Sequence, residues 1–194
     1  MEETRSGLQI LTFGKVRKFE AWLVANGPDA PGMWLKLAKK GAPEPTLAKS
    51  EAIDAALCHG WIDGQLDKYD AYYWLVRFTP RKRGSKWSQV NRTRATELTA
   101  EGRMRPAGLA KIEAAKADGR WDAAYAPAST AEVPPDLAVA LAASPEAKAF
   151  FATLKGANRY AILYRIEAVK KAATRARKIA DFIAMLERGE TIHG

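Results

Sequence analysis

The stretch on which the rest of the chain depends covers residues 57–94 and reads LCHGWIDGQLDKYDAYYWLVRFTPRKRGSKWSQVNRTR. It contains three of the six tryptophans, the single cysteine and one of the two histidines. Residues 71–96 include no Asp or Glu, whereas seven positions are cationic: Arg77, Arg81, Lys82, Arg83, Lys86, Arg92 and Arg94. An aromatic and basic segment without acids predicts that the functional surface lies here.

This stretch begins at the end of a helix and continues as two strands. Ser50 is predicted to cap that helix and Gly60 to end it. Residues 61–64 then form a short strand or turn, and residues 72–78, which are aromatic and β-branched, form a strand that ends at Thr79-Pro80. The two segments are expected to pair like a hairpin.

Upstream, the pattern alternates between strands and a helix. Residues 8–13 and 33–37 are predicted strands, residues 15–25 have apolar side chains at helical spacing, and residues 42–46 contain two prolines and form a loop. Strands and helices that are interleaved in this way predict an α+β fold with a small, mostly antiparallel sheet and packed helices.

Downstream, the chain is predicted to be helical. Ser85 is predicted to cap a helix that extends to about residue 100, and Pro106 begins another that ends at Gly119. Ser144-Pro145-Glu146 is a helix start, with a capping serine, proline at the first position and an acid near the positive end of the dipole. We therefore predict an α+β domain over residues 1–125, a linker over residues 126–135 that is rich in small residues and proline, and a helical C-terminal subdomain over residues 136–194.

Composition limits the classes of function. The 194-residue chain has a formal net charge of +9, which favours an anionic partner: nucleic acid, an acidic membrane surface, or a ligand with phosphate or carboxylate groups. One cysteine excludes an intramolecular disulfide, and with only two histidines we predict neither a metal site nor a cofactor. No run approaches the length of a membrane span, and the first 22 residues do not resemble a signal peptide, so a cytoplasmic location is expected.

Two residues are candidates for acid–base chemistry, and each has a structural alternative. His59 lies near a helix C-terminus, where the dipole would favour its protonated form, and Cys58 beside it is more simply explained as a small buried residue because neighbouring helical side chains diverge. Asp63 would either line a concavity next to Trp61 or accept hydrogen bonds in a turn at Gly64.

The basic run predicts an anion site. Guanidinium groups beside Trp87, with Ser85, Ser88 and Asn91 at a helix start, suit a phosphate or carboxylate. Single-stranded nucleic acid that stacks on Trp87 is an alternative, as is a solvated loop whose arginines bond to carbonyl groups or to acids. The basic segment of residues 155–178 would suit an acidic membrane surface, but its apolar side chains are more simply explained as core.

Several blocks together resemble one known family. They are LCHGWIDGQ (residues 57–65), RFTPR (residues 77–81), Trp87-Ser88, Asn91, Gly102-Arg103-Met104, Pro106-Ala107-Gly108 and, near the C-terminus, Thr174-Arg175-Ala176-Arg177 with Ile179. These blocks resemble the YdeI/OmpD-associated family, also called the bacteriocin-protection family, over nearly the whole chain. The resemblance implies resistance to bacteriocins or cationic antimicrobial peptides, association with an outer-membrane porin and a periplasmic location, and it brings no established catalytic residues.

Two main hypotheses follow. The first is a non-enzymatic stress or antimicrobial-resistance protein that binds a small anionic ligand or a protein partner; its predicted binding residues are Trp61, Asp63, Arg77, Arg81, Arg83, Trp87 and Asn91. The second is an enzyme that acts on a small anionic metabolite, with Asp63 or His59 as acid or base and the arginines as a substrate clamp. A nucleic-acid-binding module is a third alternative, which would show a steep salt dependence.

Overall fold

The computed structural model describes residues 3–193, which form five β-strands and eight α-helices. About 48% of the chain is helical and 16% is in strands. The chain divides between Ala124 and Tyr125 into two compact units, the first with the sheet and the second with helices alone. The predicted α+β class with a helical C-terminal region is confirmed.

The sheet belongs to the first unit. Its strands are β1 (Thr4–Arg5), β2 (Leu8–Leu11), β3 (Met33–Ala38), β4 (Trp61–Lys68) and β5 (Tyr73–Pro80), in the order β1-β2-β3-β5-β4. Only β2 and β3 pair in parallel among these strands, because the chain crosses over through a helix between them. The predicted hairpin of β4 and β5 is confirmed, and β4 is a full strand with a bulge between Asp63 and Leu66.

Four helices belong to each unit. The first unit contains α1 (Val16–Asn26), α2 (Lys49–Cys58), α3 (Gln89–Ala100) and α4 (Pro106–Ala117); the second contains α5 (Pro135–Ala143), α6 (Pro145–Thr153), α7 (Gly156–Glu167) and α8 (Ala172–Glu187), all within residues 3–193.

Two predicted helix caps were wrong. Ser88, not Ser85, caps α3, because the Ser88 Oγ accepts from the backbone N–H of Asn91 at 3.1 Å. Ala48, not Ser50, is the N-cap of α2, because its backbone N–H donates to the Glu51 carboxylate at 2.8 Å. By contrast, the Ser144 start is confirmed: its Oγ accepts from the N–H of Ala147 at the beginning of α6.

Helix α2 joins two apolar cores of the first unit. Its Ala52, Ala55 and Ala56 face the core between the sheet and α1, where Phe19 contacts Phe78 and Trp22 contacts Trp61 edge to face. Its last residues enter a second core with α3 and α4, built from Leu57, Cys58, Trp87, Ala95, Leu98, Ile112 and Ala115. The block that begins with Leu57 therefore lies where the two cores meet.

The opposite face of the sheet is covered by the sheet's own curvature. Trp34 and Leu75 are at most 2% exposed. The indole N–H of Trp34 donates to the carbonyl of Arg5, and the Arg5 guanidinium contacts Asp67 at 2.9 Å. Because Arg5 and Asp67 belong to strands at opposite ends of the strand order, this ion pair requires a strongly curled sheet.

The second unit has one core, drawn from α5 to α8. Leu137, Ile162 and Ile166 are fully buried there. Ala131 and Val133, from the segment predicted as a linker, pack against this core. The buried Ser144 also donates its hydroxyl to Glu187 at 2.7 Å, which ties the start of α6 to the end of α8.

Candidate functional site

The candidate site is the loop between β5 and α3, residues 81–88, which we call the basic loop. It begins directly after Pro80 ends β5, and its own groups fix its turn: the N–H of Lys82 donates to the Ser85 Oγ at 2.9 Å, and the N–H of Ser85 donates to the carbonyl of Lys82 at 3.0 Å. The turn therefore holds its shape through short local bonds.

A buried stack of Arg81 on Trp87 forms the base of the basic loop. The guanidinium carbon of Arg81 lies 3.5 Å from the centroid of the Trp87 ring, and both side chains are 2% exposed. The Arg81 Nη1 donates to the carbonyl of Lys86 at 3.1 Å. Because a guanidinium is planar and weakly hydrated, it can be buried against an aromatic face where a lysine ammonium could not.

The segment after α4 supports the same loop from the other side. Trp121 packs edge to face on Trp87 with 4.8 Å between ring centroids, and Arg120 donates to the carbonyl of Ser85 at 2.8 Å. Arg120 also pairs with Asp118, and this pair, with a smaller contribution from Arg83, lowers the pKa of Asp118. The sequence analysis missed Arg120 and Trp121, since nothing in their local pattern links them to residues 81–88.

Three cations of the basic loop face solvent. Lys82, Arg83 and Lys86 are exposed, while the backbone beneath them is held by the bonds of Arg81 and Arg120. The loop leads into α3, whose first turn is capped by Ser88 and includes the half-buried Asn91. Of the predicted binding residues, Arg81, Arg83 and Trp87 thus belong to the basic loop, and Asn91 lies in the first turn of the helix that follows it.

The rest of the basic run serves other contacts. Arg94 holds Asp54 of α2 through two bonds of 2.8 and 2.6 Å, and Arg92 donates to the carbonyl of Trp121. Arg77 is exposed on β5, opposite Trp34 of β3. Arg94 therefore joins α3 to α2, and Arg92 joins α3 to the segment after α4.

Trp61 and Asp63 lie on the neighbouring strand. Trp61 is 2% exposed and packs on Trp22 with 5.7 Å between ring centroids. Asp63 is half-buried, lies within β4 opposite Phe78 and precedes the bulge. The N–H of Arg81 donates to the carbonyl of Gly60, so the WIDG and RFTPR blocks are joined through the backbone. Their side chains are not gathered into one site: Trp61 belongs to the core.

His59 lies at the C-terminal end of α2, as its C-cap residue. Burial lowers the pKa of His59, and the nearby positive charge of Arg105 lowers it further. Burial also raises the pKa of the Cys58 thiol. Both effects make these side chains harder to charge: the imidazole favours its neutral form and the thiol is a poor nucleophile. Cys58 is thus a buried core residue.

The glycines of two motif blocks allow a close helix contact. Gly60 has a φ of +75°, and a Cβ there would meet the carbonyl oxygen of Ala107 at 2.9 Å. A Cβ at Gly108 would lie 2.4 Å from the carbonyl oxygen of Cys58. The blocks LCHG and PAG are therefore explained by the contact between the end of α2 and the start of α4, rather than by ligand binding.

The C-terminal motif also has a structural explanation. Arg175 on α8 makes two bonds to the Asp136 carboxylate at the start of α5, of 2.6 and 3.0 Å, and its Nη1 donates to the carbonyl of Ile166 near the end of α7. The ion pair lowers the pKa of Asp136. One guanidinium thereby joins three helices.

Within residues 3–193, no group of three or more His, Cys, Asp or Glu side chains is placed to hold a metal ion. None of the helices in the same range has the length and apolar character needed to cross a membrane.

Two family models match the chain. The model described as a domain of unknown function, DUF8412, matches residues 11–111, just over half of the chain, and includes the WIDG and RFTPR blocks. The model described as Bacteriocin-protection, YdeI or OmpD-Associated matches residues 130–189, which include the Thr174–Arg177 motif. Neither curated proteins nor solved structures gave a match. The chain therefore belongs to the DUF8412 family through its first unit, and residues 130–189 of its second unit are similar to the bacteriocin-protection, YdeI/OmpD-associated family.

Proposed function

We propose that the protein is a non-enzymatic component of bacteriocin protection and binds an anionic ligand or partner through the basic loop. One observation carries the proposal: Lys82, Arg83 and Lys86 are exposed on a loop whose backbone is fixed from below. A loop that is already ordered loses little conformational entropy when a ligand binds.

The spacing of charge favours a ligand with several negative groups. A single exposed ion pair contributes only about 0 to 1 kcal/mol, so one carboxylate on one lysine would bind weakly. Three cations within five residues, together with the positive end of α3, can act on a phosphate-rich or polyacidic partner at once.

Two further observations support binding over catalysis. Burial raises the pKa of the Cys58 thiol and so disfavours its nucleophilic thiolate, and the most buried arginine of the site, Arg81, is occupied by Trp87 and the Lys86 carbonyl. Arg81 is thus proposed as the support of the basic loop, with Arg83 and its neighbours as the groups that meet the ligand.

The test uses intrinsic tryptophan fluorescence, because the buried Trp87 is itself a residue of the basic loop. Inorganic pyrophosphate, a citrate series, single-stranded RNA and anionic vesicles are titrated into the full-length protein at about 50 and about 200 mM salt. We expect a saturable change with at least one multivalent anion, weaker at the higher salt concentration. The triple variant Lys82→Ala, Arg83→Ala, Lys86→Ala should bind it about tenfold or more weakly, a loss of about 1.4 kcal/mol.

The control removes the same number of exposed cations elsewhere: Lys15→Ala, Arg17→Ala, Lys18→Ala at the start of α1. Equal losses in the two triple variants would mean that net charge alone attracts the ligand, and the proposed site would be wrong. A response to RNA alone would move the assignment to nucleic-acid binding.

We further propose that the protein is located in the cytoplasm and is linked to an outer-membrane porin only through other proteins. Cell fractionation tests the location, and cross-linking in living cells tests the link to the porin.

A further inference from the structure

The second unit has a surface groove of about 380 Å³ between α5 and α8. Three alanines of α8 that lie one helical turn apart, Ala172, Ala176 and Ala180, line it together with Ile179 and with Ala140 of α5. The three alanines of α8 are exposed. Val139, which precedes Ala140 in α5, is 72% exposed.

The charged groups in the groove neutralise each other. Asp136 and Arg175 both line it, and they are held together by two bonds of 2.6 and 3.0 Å, with the third Arg175 bond going to a backbone carbonyl. A ligand that enters the groove therefore meets small apolar side chains and one satisfied ion pair. An apolar partner surface suits such a lining better than a free anion does.

The sequence beside the groove residues of α8 is mainly basic. Residues 165–178 contain six cations and one acid, Glu167. Of these cations, Lys171 and Arg177 are exposed and adjoin the groove residues Ala172 and Ala176 in the sequence, and one exposed acid, Asp181, adjoins Ala180. A partner with negative charge at its margins would complement this rim.

We infer that the groove binds an amphipathic helix of a protein partner, with acidic residues flanking its apolar stripe. Alanines at positions i, i+4 and i+8 leave room for another helix to approach α8 closely, and the volume accepts a few apolar side chains of such a helix. The cations of the rim select acidic over basic helices. This inference concerns the second unit and is independent of the basic loop.

The experiment measures the fluorescence anisotropy of two labelled synthetic helices of about four turns with the full-length protein. Both carry leucine at every third or fourth position; one has glutamates and the other lysines at the flanking positions. We expect saturable binding of the glutamate helix and about tenfold or more weaker binding of the lysine helix. Ala176→Glu should weaken the glutamate helix by about tenfold or more, since it fills the groove and repels the flanking acids.

Two controls fix the location. Ala149→Glu adds the same charge at an exposed alanine of α6, outside the groove, and should bind the glutamate helix like the native protein. The triple variant of the basic loop should also retain this binding, so that failure of the proposed function and failure of this inference are distinguishable.

Three results would overturn the inference. They are equal affinity for the two helices, no saturable binding of the glutamate helix, or equal effects of Ala176→Glu and Ala149→Glu. Two further outcomes would identify a different occupant when the glutamate helix does not bind. Self-association in sedimentation that Ala176→Glu abolishes and Ala149→Glu does not would identify a second copy of the chain. Binding to anionic vesicles in flotation with the same dependence on Ala176 would identify a lipid surface.

Discussion

Two glycines determine how closely the end of α2 approaches the start of α4. Gly60 follows α2 with a positive φ, and Gly108 lies in the first turn of α4. The backbone N–H of Arg105 donates to the carbonyl of Cys58 at 3.1 Å across the same contact. A side chain at either glycine would overlap with backbone atoms of the neighbouring helix. Because the backbone is less free to move than the end of a flexible side chain, the two helices would have to separate.

Gly108→Ala tests this contact. The new methyl group would lie 2.4 Å from the carbonyl oxygen of Cys58 and 2.7 Å from that of Leu57. Alanine favours a helix over glycine by about 1 kcal/mol, but overpacking against backbone costs about 1 to 3 kcal/mol or more. Because the clash is with backbone atoms, we expect a net decrease of about 1 to 2 kcal/mol in the free energy of unfolding, measured by urea denaturation.

The matched control for that variant is Gly84→Ala in the exposed turn of the basic loop. A Cβ there meets nothing within 4 Å, so a change within about 0.5 kcal/mol is expected. A Gly108→Ala protein as stable as the native one would show that the helices can separate at no cost.

In the basic loop, the residues of the surface could be predicted from the sequence, but the burial of two of them could not. Arg81 and Trp87 are close along the chain, and the sequence pattern predicts that both belong to one binding surface. Their burial could not be predicted, because it depends on contacts with Arg120 and Trp121. These residues follow α3 and α4 and are distant from the loop in the sequence. Asp54, the partner of Arg94, could not be predicted for the same reason, because the two residues are 40 positions apart in the sequence.

Among helices and strands, the boundaries set by glycine and proline were predictable, and those set by tertiary contacts were not. Pro106 and the Ser144-Pro145 start mark α4 and α6 as expected. Strand β1 is too short to have a pattern of its own, and it forms because β2 pairs with it. Gly64 suggests a turn in the sequence, but it lies within β4, at the bulge between Asp63 and Leu66. Pairing with β5 continues on both sides of this bulge.

The contact between α2 and α3 should make stability depend on pH in the acid range. Hydrogen bonding from Arg94 holds the pKa of Asp54 below its usual value, and Arg103 adds to this effect. A carboxyl group with a lowered folded-state pKa contributes stability that is present above its unfolded pKa of about 3.9 and is lost as the pH falls through the folded pKa. Asp54→Asn should cost about 2 kcal/mol at neutral pH.

The same variant should differ less and less from the native protein as the pH falls from about 5 to about 2. Urea denaturation across this range measures the difference. Asp122→Asn, at an exposed acid of the first unit, should show neither effect. A constant gap between Asp54→Asn and the native protein at every pH would mean that the charge of Asp54 does not stabilise the contact.

The whole molecule consists of two units, each with its own apolar core. The two cores of the first unit draw only on residues up to Ala124, and the core of the second only on residues after it. The boundary coincides with the gap between the two family matches, which end at residue 111 and begin at residue 130. The change in composition towards proline and small residues led to the prediction of a linker over residues 126–135, and Ala131 and Val133 of that segment pack against the core of the second unit.

We therefore expect residues 1–124 and 125–194, expressed separately, each to fold and to unfold cooperatively when followed by circular dichroism. The second fragment should be the less stable, at about 3 to 5 kcal/mol or below, because a single small core rarely provides more. Multivalent anions that bind the basic loop should bind the first fragment about as tightly as the full chain and should leave the second unaffected. If the first fragment aggregates, or if the second fragment alone binds those anions, then the units are not independent or the binding site lies outside the basic loop.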